Sequence, residues 1–278
     1  MLSVPSLAET NDDQTPAQQL VTQKVVEFRF DGATKSKHSI SVKPSDAFTD
    51  TTGFGYDLNT KPEGNKPFYF SIAVPEGNYR ITMELGNKRL ASTNTIKAES
   101  RRLYLNNEKT RAGKFIIRSF VVNVRNANLK APENLAPGNL KVSLKSREIN
   151  TLHWDNKLTL EINGDAPQLC SLRIEAADVP TIFLVGDSTV TDQPFEPAAS
   201  WGQMLPYFFN DQIAVANHAE SGETLKSFIS EARLAKVLDH IKAGDYLFIQ
   251  FGHNDQKKQW PQTYVEANST YKDYLKVF

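Results

Sequence analysis

Two units of different build are predicted by this sequence: an antiparallel β-sandwich over residues 24–178, then an α/β unit with a parallel sheet over residues 179–278. Three observations predict this. Short β-branched and aromatic runs alternate with turn signals through the first stretch. Compact apolar runs separated by helical stretches follow in the second. Small polar motifs stand at the end of each of those later runs.

In the first stretch "KVVEFRF", "HSISV", "PFYFSIAV", "NYRITMEL", "RRLYL", "KFIIRSFVVNVRN", "KLTLEING" and "CSLRIEA" read as strands. "FYFSIAV" and "YRITMEL" place every second apolar side chain on one face, as a half-buried strand requires. Asp31-Gly32, Pro75-Glu76-Gly77-Asn78, Asn106-Asn107, Ala136-Pro137-Gly138-Asn139 and Asn163-Gly164-Asp165 supply turns between them. Many short strands with frequent turns and no helical period indicate a sandwich. Ahead of it, residues 1–23 have neither a basic n-region nor an apolar h-region, and read as a disordered leader with no visible signal peptide.

The texture changes at Ala176-Ala177-Asp178-Val179-Pro180. "TIFLVG", "QIAVAN" and "DYLFIQFG" are short apolar runs suited to strands buried on both faces. "SWGQMLPYFF" supplies one crossover helix, with Pro206 in its first turn or at a kink. "GETLKSFISEARLAKVLDHIKAGD" supplies the other: Leu225, Phe228, Ile229 and Ala232 fall on one face, and the stripe shifts after Ser230-Glu231, where a break is expected. Gly244 is the expected C-terminal stop. Strand, helix, strand, helix, strand makes a parallel sheet with right-handed crossovers. With three strands in 98 residues and a last amphipathic stretch, "STYKDYLKVF", this unit is expected to be C-terminally truncated.

Composition narrows the function. Lys+Arg and Asp+Glu are 32 each, so no basic field favours a nucleic-acid partner. No apolar run approaches the ~18 residues of a membrane span. The single cysteine, Cys170, excludes an intrachain disulfide and a cysteine-built zinc site; neither a metal nor a cofactor is expected.

In open parallel sheets, ligands sit beyond the carboxyl ends of the strands. The first predicted strand ends in Gly186-Asp187-Ser188, the second runs into "NHAESGETL" with Ser221-Gly222, and the third ends in Gly252-His253-Asn254-Asp255. Each motif alone is ordinary turn chemistry; their joint order points to one rim. A serine hydroxyl there can be a nucleophile once a base takes its proton. The Ser188 and Gly222 amides and the Asn254 carboxamide can serve as donors to an oxyanion, a glycine letting the backbone approach closely. Asp187 and Asp255 can pin the loops by accepting backbone N–H bonds.

These residues resemble a known family. "GDST", Gly222 within "NHAESGETLKSF", and "GHND" are similar to three blocks of the SGNH (GDSL) hydrolases, most of all the rhamnogalacturonan acetylesterase branch. "FRFDG", "TGFGYD" and "VPEGNYRITMELGN" resemble the galactose-binding-like, jelly-roll domain that precedes some of those esterases. The resemblance implies a flavodoxin-like α/β/α fold and cofactor-free ester hydrolysis in a secreted or periplasmic protein. It implies Ser188 as nucleophile, and Gly222 and Asn254 in the oxyanion hole. The substrate implied is an acetylated polysaccharide or oligosaccharide of pectic type. Two readings stand beside it: a lipase or thioesterase of the same family acting on acyl chains, and a non-catalytic carbohydrate-binding protein.

The family's fourth element, an Asp-x-x-His carrying the base, does not occur in these 278 residues. His38 and His153 fall in the first stretch, with surface strand or loop positions expected. His240 is expected to complement a helix C-terminus, and His218 and His253 lie near the rim. No histidine is assigned as base, and weak activity or none is expected of the chain alone. Glu223 and Lys226 stand where relatives often carry arginine, which weakens carboxylate recognition because lysine lacks the bidentate guanidinium fork.

Overall fold

A computed structural model describes residues 25–31, 39–130 and 140–278, together with Thr15 and Gln18. The predicted leader (apart from those two residues), the turn at Ala136–Asn139, Gly32 and His38 lie outside the described residues.

The first region is two five-stranded sheets. One has the order β2 (Ser39–Ser41), β1 (Val25–Arg29), β10 (Leu169–Ala176), β5 (Gly77–Asn87), β8 (Lys114–Val124), with only the β1–β2 pair parallel. The other is fully antiparallel: β3 (Phe54–Asp57), β4 (Phe68–Ala73), β9 (Lys157–Asn163), β6 (Ser92–Ala98), β7 (Arg102–Thr110). Their inward residues make one core. Tyr79, Ile81, Met83 and Leu85 of β5 alternate into it and meet Phe68, Phe70 and Ile72 from β4. Phe70 sits edge-on to Phe28, Phe30 and Tyr56 at centroid distances of 5.0–5.7 Å, the tilted geometry that aromatic quadrupoles favour.

Strand β6 is absent from the sequence reading because its inward positions begin with Ser92 and Asn94. Both are buried because their polar atoms are satisfied: Ser92 Oγ pairs with Thr110 Oγ1 at 2.7 Å, and Asn94 Oδ1 accepts the Gln168 amide at 2.8 Å.

The second region is a three-stranded parallel sheet, β12 (Ala214–Asn217), β11 (Thr181–Gly186), β13 (Tyr246–Gln250), with β11 in the centre. Ile182 and Leu184 pack with Val190, Val215 and Ala219 on one face, while Phe183 and Val185 pack with Leu225, Phe228, Leu234 and Val237 on the other. Helical segments cover both faces. Helix α1 (Trp201–Met204) tightens into a 3₁₀ turn at Leu205–Phe208 that takes in Pro206. Opposite lie α2 (Leu225–Ser230), α3 (Arg233–Leu238) and α4 (Thr270–Leu275). The break expected after Ser230-Glu231 is present, at Ala232 in the left-handed conformation, φ 60°.

Two expectations are corrected. Gly244 (φ 96°) belongs to the turn before β13 rather than to the helix end, since α3 stops at Leu238 and Asp239 caps it. Strand β13 is not buried on both faces: with a neighbour on one side only, it leaves Tyr246, Phe248 and Ile249 substantially exposed.

Candidate active site

Ser188 lies two residues beyond the central strand, and the turns carrying Gly222 and Asn254 follow the strands on either side. The three turns are tied together. The Glu220 amide donates to the Gly186 carbonyl at 3.1 Å, extending the β11–β12 pairing into the loops. Asn254 Nδ2 donates to the Glu223 carbonyl at 3.0 Å, and Leu225 N donates to Asp255 Oδ1 at 2.8 Å. Gly186 permits the join with β13, because a Cβ there would lie 2.6 Å from the Gln250 carbonyl oxygen.

Asp187 is buried, and its Oδ1 accepts both the Thr189 amide (3.0 Å) and the Thr189 hydroxyl (2.9 Å). Asp255 holds the third turn, accepting from Leu225 N and from Gly252 N at 3.0 Å. Burial raises the Asp255 carboxyl above its ordinary value, and these backbone bonds offset part of that rise.

The donors differ in how far they are committed. Neither the Ser188 nor the Gly222 amide has an acceptor within hydrogen-bond reach among the described residues. Asn254 has one amide hydrogen on Glu223 and takes Lys257 Nζ on its Oδ1 at 2.7 Å, leaving its other hydrogen uncommitted. Ser188 is half-buried, and its carbonyl accepts Gln193 Nε2 at 2.9 Å. Gly222 is a glycine for a different reason from the one expected. A Cβ there would meet nothing closer than 3.9 Å, so its positive φ of 81°, not close approach, is what favours glycine.

None of the described histidines stands as an evident base. His153, expected at the surface, is buried, and its Nδ1 pairs with Ser100 Oγ at 2.6 Å. His218 is buried between Phe183 and Trp154. Burial, then the charge of Arg125, holds both imidazoles well below their ordinary value. His240 lies just past α3 and faces the Glu76 carboxylate at 3.4 Å, and His253 is exposed.

The sequence reading did not anticipate that the first region reaches this rim. The segment 143–154 crosses over the turn after β12. Lys145 Nζ donates to the Ser221 carbonyl at 3.0 Å and to the Glu223 carboxylate. Arg147 donates from Nη2 to the same Ser221 carbonyl, and from Nε to Glu220 at 2.7 Å. Glu148 anchors the segment on Arg233 (Nη1 to Oε1, 3.0 Å) and accepts Trp154 Nε1 at 2.9 Å. Burial alone would raise the Glu148 carboxyl; Arg233 outweighs it and holds the group below its ordinary value. Glu223, noted as a departure from relatives, thus serves as the buried partner of Lys145. Glu148, His153 and Glu220 bring their ligand atoms within 4.8 Å of one another, but Arg233 and Arg147 already neutralise the two carboxylates, which opposes a cation there.

Serine, glycine and asparagine thus stand on the turns after three adjacent parallel strands, the arrangement expected from the sequence. Residues 182–276 match the family described as GDSL-like Lipase/Acylhydrolase. The match falls within the parallel-sheet region and leaves the β-rich region outside it. The chain is 46% identical over 99 residues to Rhamnogalacturonan acetylesterase RhgT of Bacillus subtilis (strain 168), a match covering 35% of this chain and 41% of that protein. It is 44% identical over 98 residues to Probable rhamnogalacturonan acetylesterase YesY of the same organism, covering 35% and 45%. The chain therefore spans less than half the length of these two relatives. Uncharacterized esterase YxiM, also of B. subtilis, is 24% identical over 277 residues, covering 91% of this chain and 65% of that protein. The solved structure of YxiM aligns at 23% identity with a TM-score of 0.37, covering 91% of this chain and 70% of that one.

Proposed function

We propose that this chain carries the serine centre of a carbohydrate esterase that removes O-acetyl groups from a pectic polysaccharide of the rhamnogalacturonan type. Ser188 Oγ adds to the acetyl carbonyl, and the oxyanion is held by the amides of Ser188 and Gly222 and by Asn254 Nδ2. Collapse breaks the bond to the sugar oxygen, which leaves with a proton as the free hydroxyl. Water then releases acetate from acetyl-Ser188. The reading is carried by one observation above the rest: two adjacent turns present backbone amides with no acceptor of their own beside a half-buried serine. The names of RhgT and YesY support the substrate class. A galactose-binding-like first domain ending near residue 178, a flavodoxin-like second, and a secreted or periplasmic setting belong to the same proposal.

An unassisted serine is a weak nucleophile, so turnover by these 278 residues is slow. The test is acetate release from acetylated rhamnogalacturonan and from an aryl acetate, with mass spectrometry of the peptide containing residue 188. Ser188→Ala abolishes the acetyl-peptide and lowers acetate release to the rate without protein. Release at the parent rate from Ser188→Ala ends the proposal.

A further inference from the structure

The Ser221–Gly222 peptide is oriented from outside its own region. Two cations of the first region, Lys145 and Arg147, both donate to the Ser221 carbonyl. Among the described residues the one cis peptide is Glu196-Pro197, so Ser221–Gly222 is trans. In a trans peptide the carbonyl and the following N–H point in opposite directions. Fixing the Ser221 oxygen toward Lys145 and Arg147 therefore fixes the Gly222 N–H away from them. The sheet order places the turn of Ser188 beside that of Gly222.

The arrangement is braced on both sides. Lys145 also meets the fully buried Glu223, and Arg147 meets Glu220, so each cation is held by a carboxylate flanking the peptide it grips. The segment itself is fixed by Glu148 on Arg233, by Lys145 N on Glu148 Oε2 at 2.8 Å, and by the Ser143 amide on the Glu231 carbonyl at 2.9 Å. Gly222 itself does little to fix the peptide: its φ of 81° lies in a region that glycine enters freely, and an added Cβ would meet only Arg147 Nη2 at 3.9 Å and Lys145 Nζ at 4.0 Å. A flexible donor earns little in a transition state, whereas one held in place acts with no reorganisation cost.

We propose that Lys145 and Arg147 are positioning residues that hold the Gly222 N–H facing Ser188, so that the β-rich region completes the oxyanion hole. The inference rests on Ser188 being the nucleophile.

An equilibrium probe tests it without depending on turnover. An aryl trifluoromethyl ketone adds a serine hydroxyl across its carbonyl: Oγ bonds to carbon, the C=O π bond breaks, and the proton ends on the new oxygen, which ionises where an ester oxyanion would sit. Followed by ¹⁹F NMR, the parent chain forms the adduct and Ser188→Ala does not. In Lys145→Met/Arg147→Met, adduct affinity falls tenfold or more and the adduct oxygen ionises at higher pH, a change that loss of packing alone does not produce. Lys145→Arg keeps a donor and retains both parent values. Should the double variant fail to fold, Arg147→Met alone, at a largely exposed side chain, lowers affinity and raises the ionisation pH in part, and parent-like values there overturn the inference. Parent-like affinity and ionisation in the double variant overturn the inference and leave the esterase reading standing. No adduct in the parent chain overturns both.

Discussion

The core of the first region and its junction with the second are held by opposite means. The core is dominated by apolar side chains, closed by Phe70 and its aromatic neighbours, with Ser92 and Asn94 among its few polar members. Among the described residues the junction has a small apolar contact, Val121 with Val179 and Ala214, and the packing of Trp154 on His218. Its buried ion pairs are the larger feature: Arg102 on Asp192 at 2.7 Å with both side chains essentially inaccessible, Arg233 on Glu148, Lys236 on Glu76 at 2.7 Å, and Lys145 on Glu223. Burial favours many near-equivalent packings, whereas a buried ion pair tolerates one geometry. The difference teaches that the core supplies stability and the junction supplies register, setting which residues of one region stand over which of the other.

The sharpest way to break that comparison is to strand one charge. Asp192→Ala leaves Arg102 buried without its carboxylate and costs about 3–5 kcal/mol in urea unfolding. Replacing both, Arg102→Met with Asp192→Leu, recovers most of the loss. A double variant as unstable as the single would show that the pair supplies stability of its own.

Acid supplies the next test. With His153 and His218 held below their ordinary value, the unfolded chain binds protons near pH 6.5 that the folded chain refuses. Stability therefore falls as pH drops below about 6.5, by up to about 1.4 kcal/mol per pH unit for each histidine. Asp155, which burial pushes up to about 6, works in the other direction, so the quantity to measure is the difference between parent and variant. His218→Gln flattens the parent's decline between pH 6.5 and 5.5; an unchanged slope refutes the assignment. The smallest effect is local to the site. Thr224 caps α2 through the Ser227 amide at 3.1 Å, and Thr224→Ala costs about 1 kcal/mol by thermal or urea unfolding.

Much of this was legible in the sequence, and the failures share one cause. Alternation in "FYFSIAV" and "YRITMEL" exposed β4 and β5, because one face of each is apolar. The motifs at Ser188, Gly222 and Asn254 were legible because a strand end fixes where a turn must lie. Strand β6 was hidden by its inward serine and asparagine, whose partners Thr110 and Gln168 are distant in the chain. Lys145, Arg147 and Glu148 were hidden more deeply still. Their partners are Glu223, Glu220 and Arg233, more than 70 residues downstream, and no local period marks such a pairing. His153 was misplaced for the same reason, its burial being decided by Ser100 rather than by its neighbours in "TLHWDN".

The bridge over the Ser221–Gly222 turn also limits how this protein can be recombined. A chimera that joined its parallel-sheet region to a foreign β-rich region would inherit Glu220 without Arg147, Glu223 without Lys145 and Asp192 without Arg102. Three carboxylates would then face a surface lacking the cations that meet them here. Grafting the second region onto another scaffold therefore requires residues 143–154 to come with it, and counterparts of Arg102 and Glu76 as well, although all of these are separate in the chain.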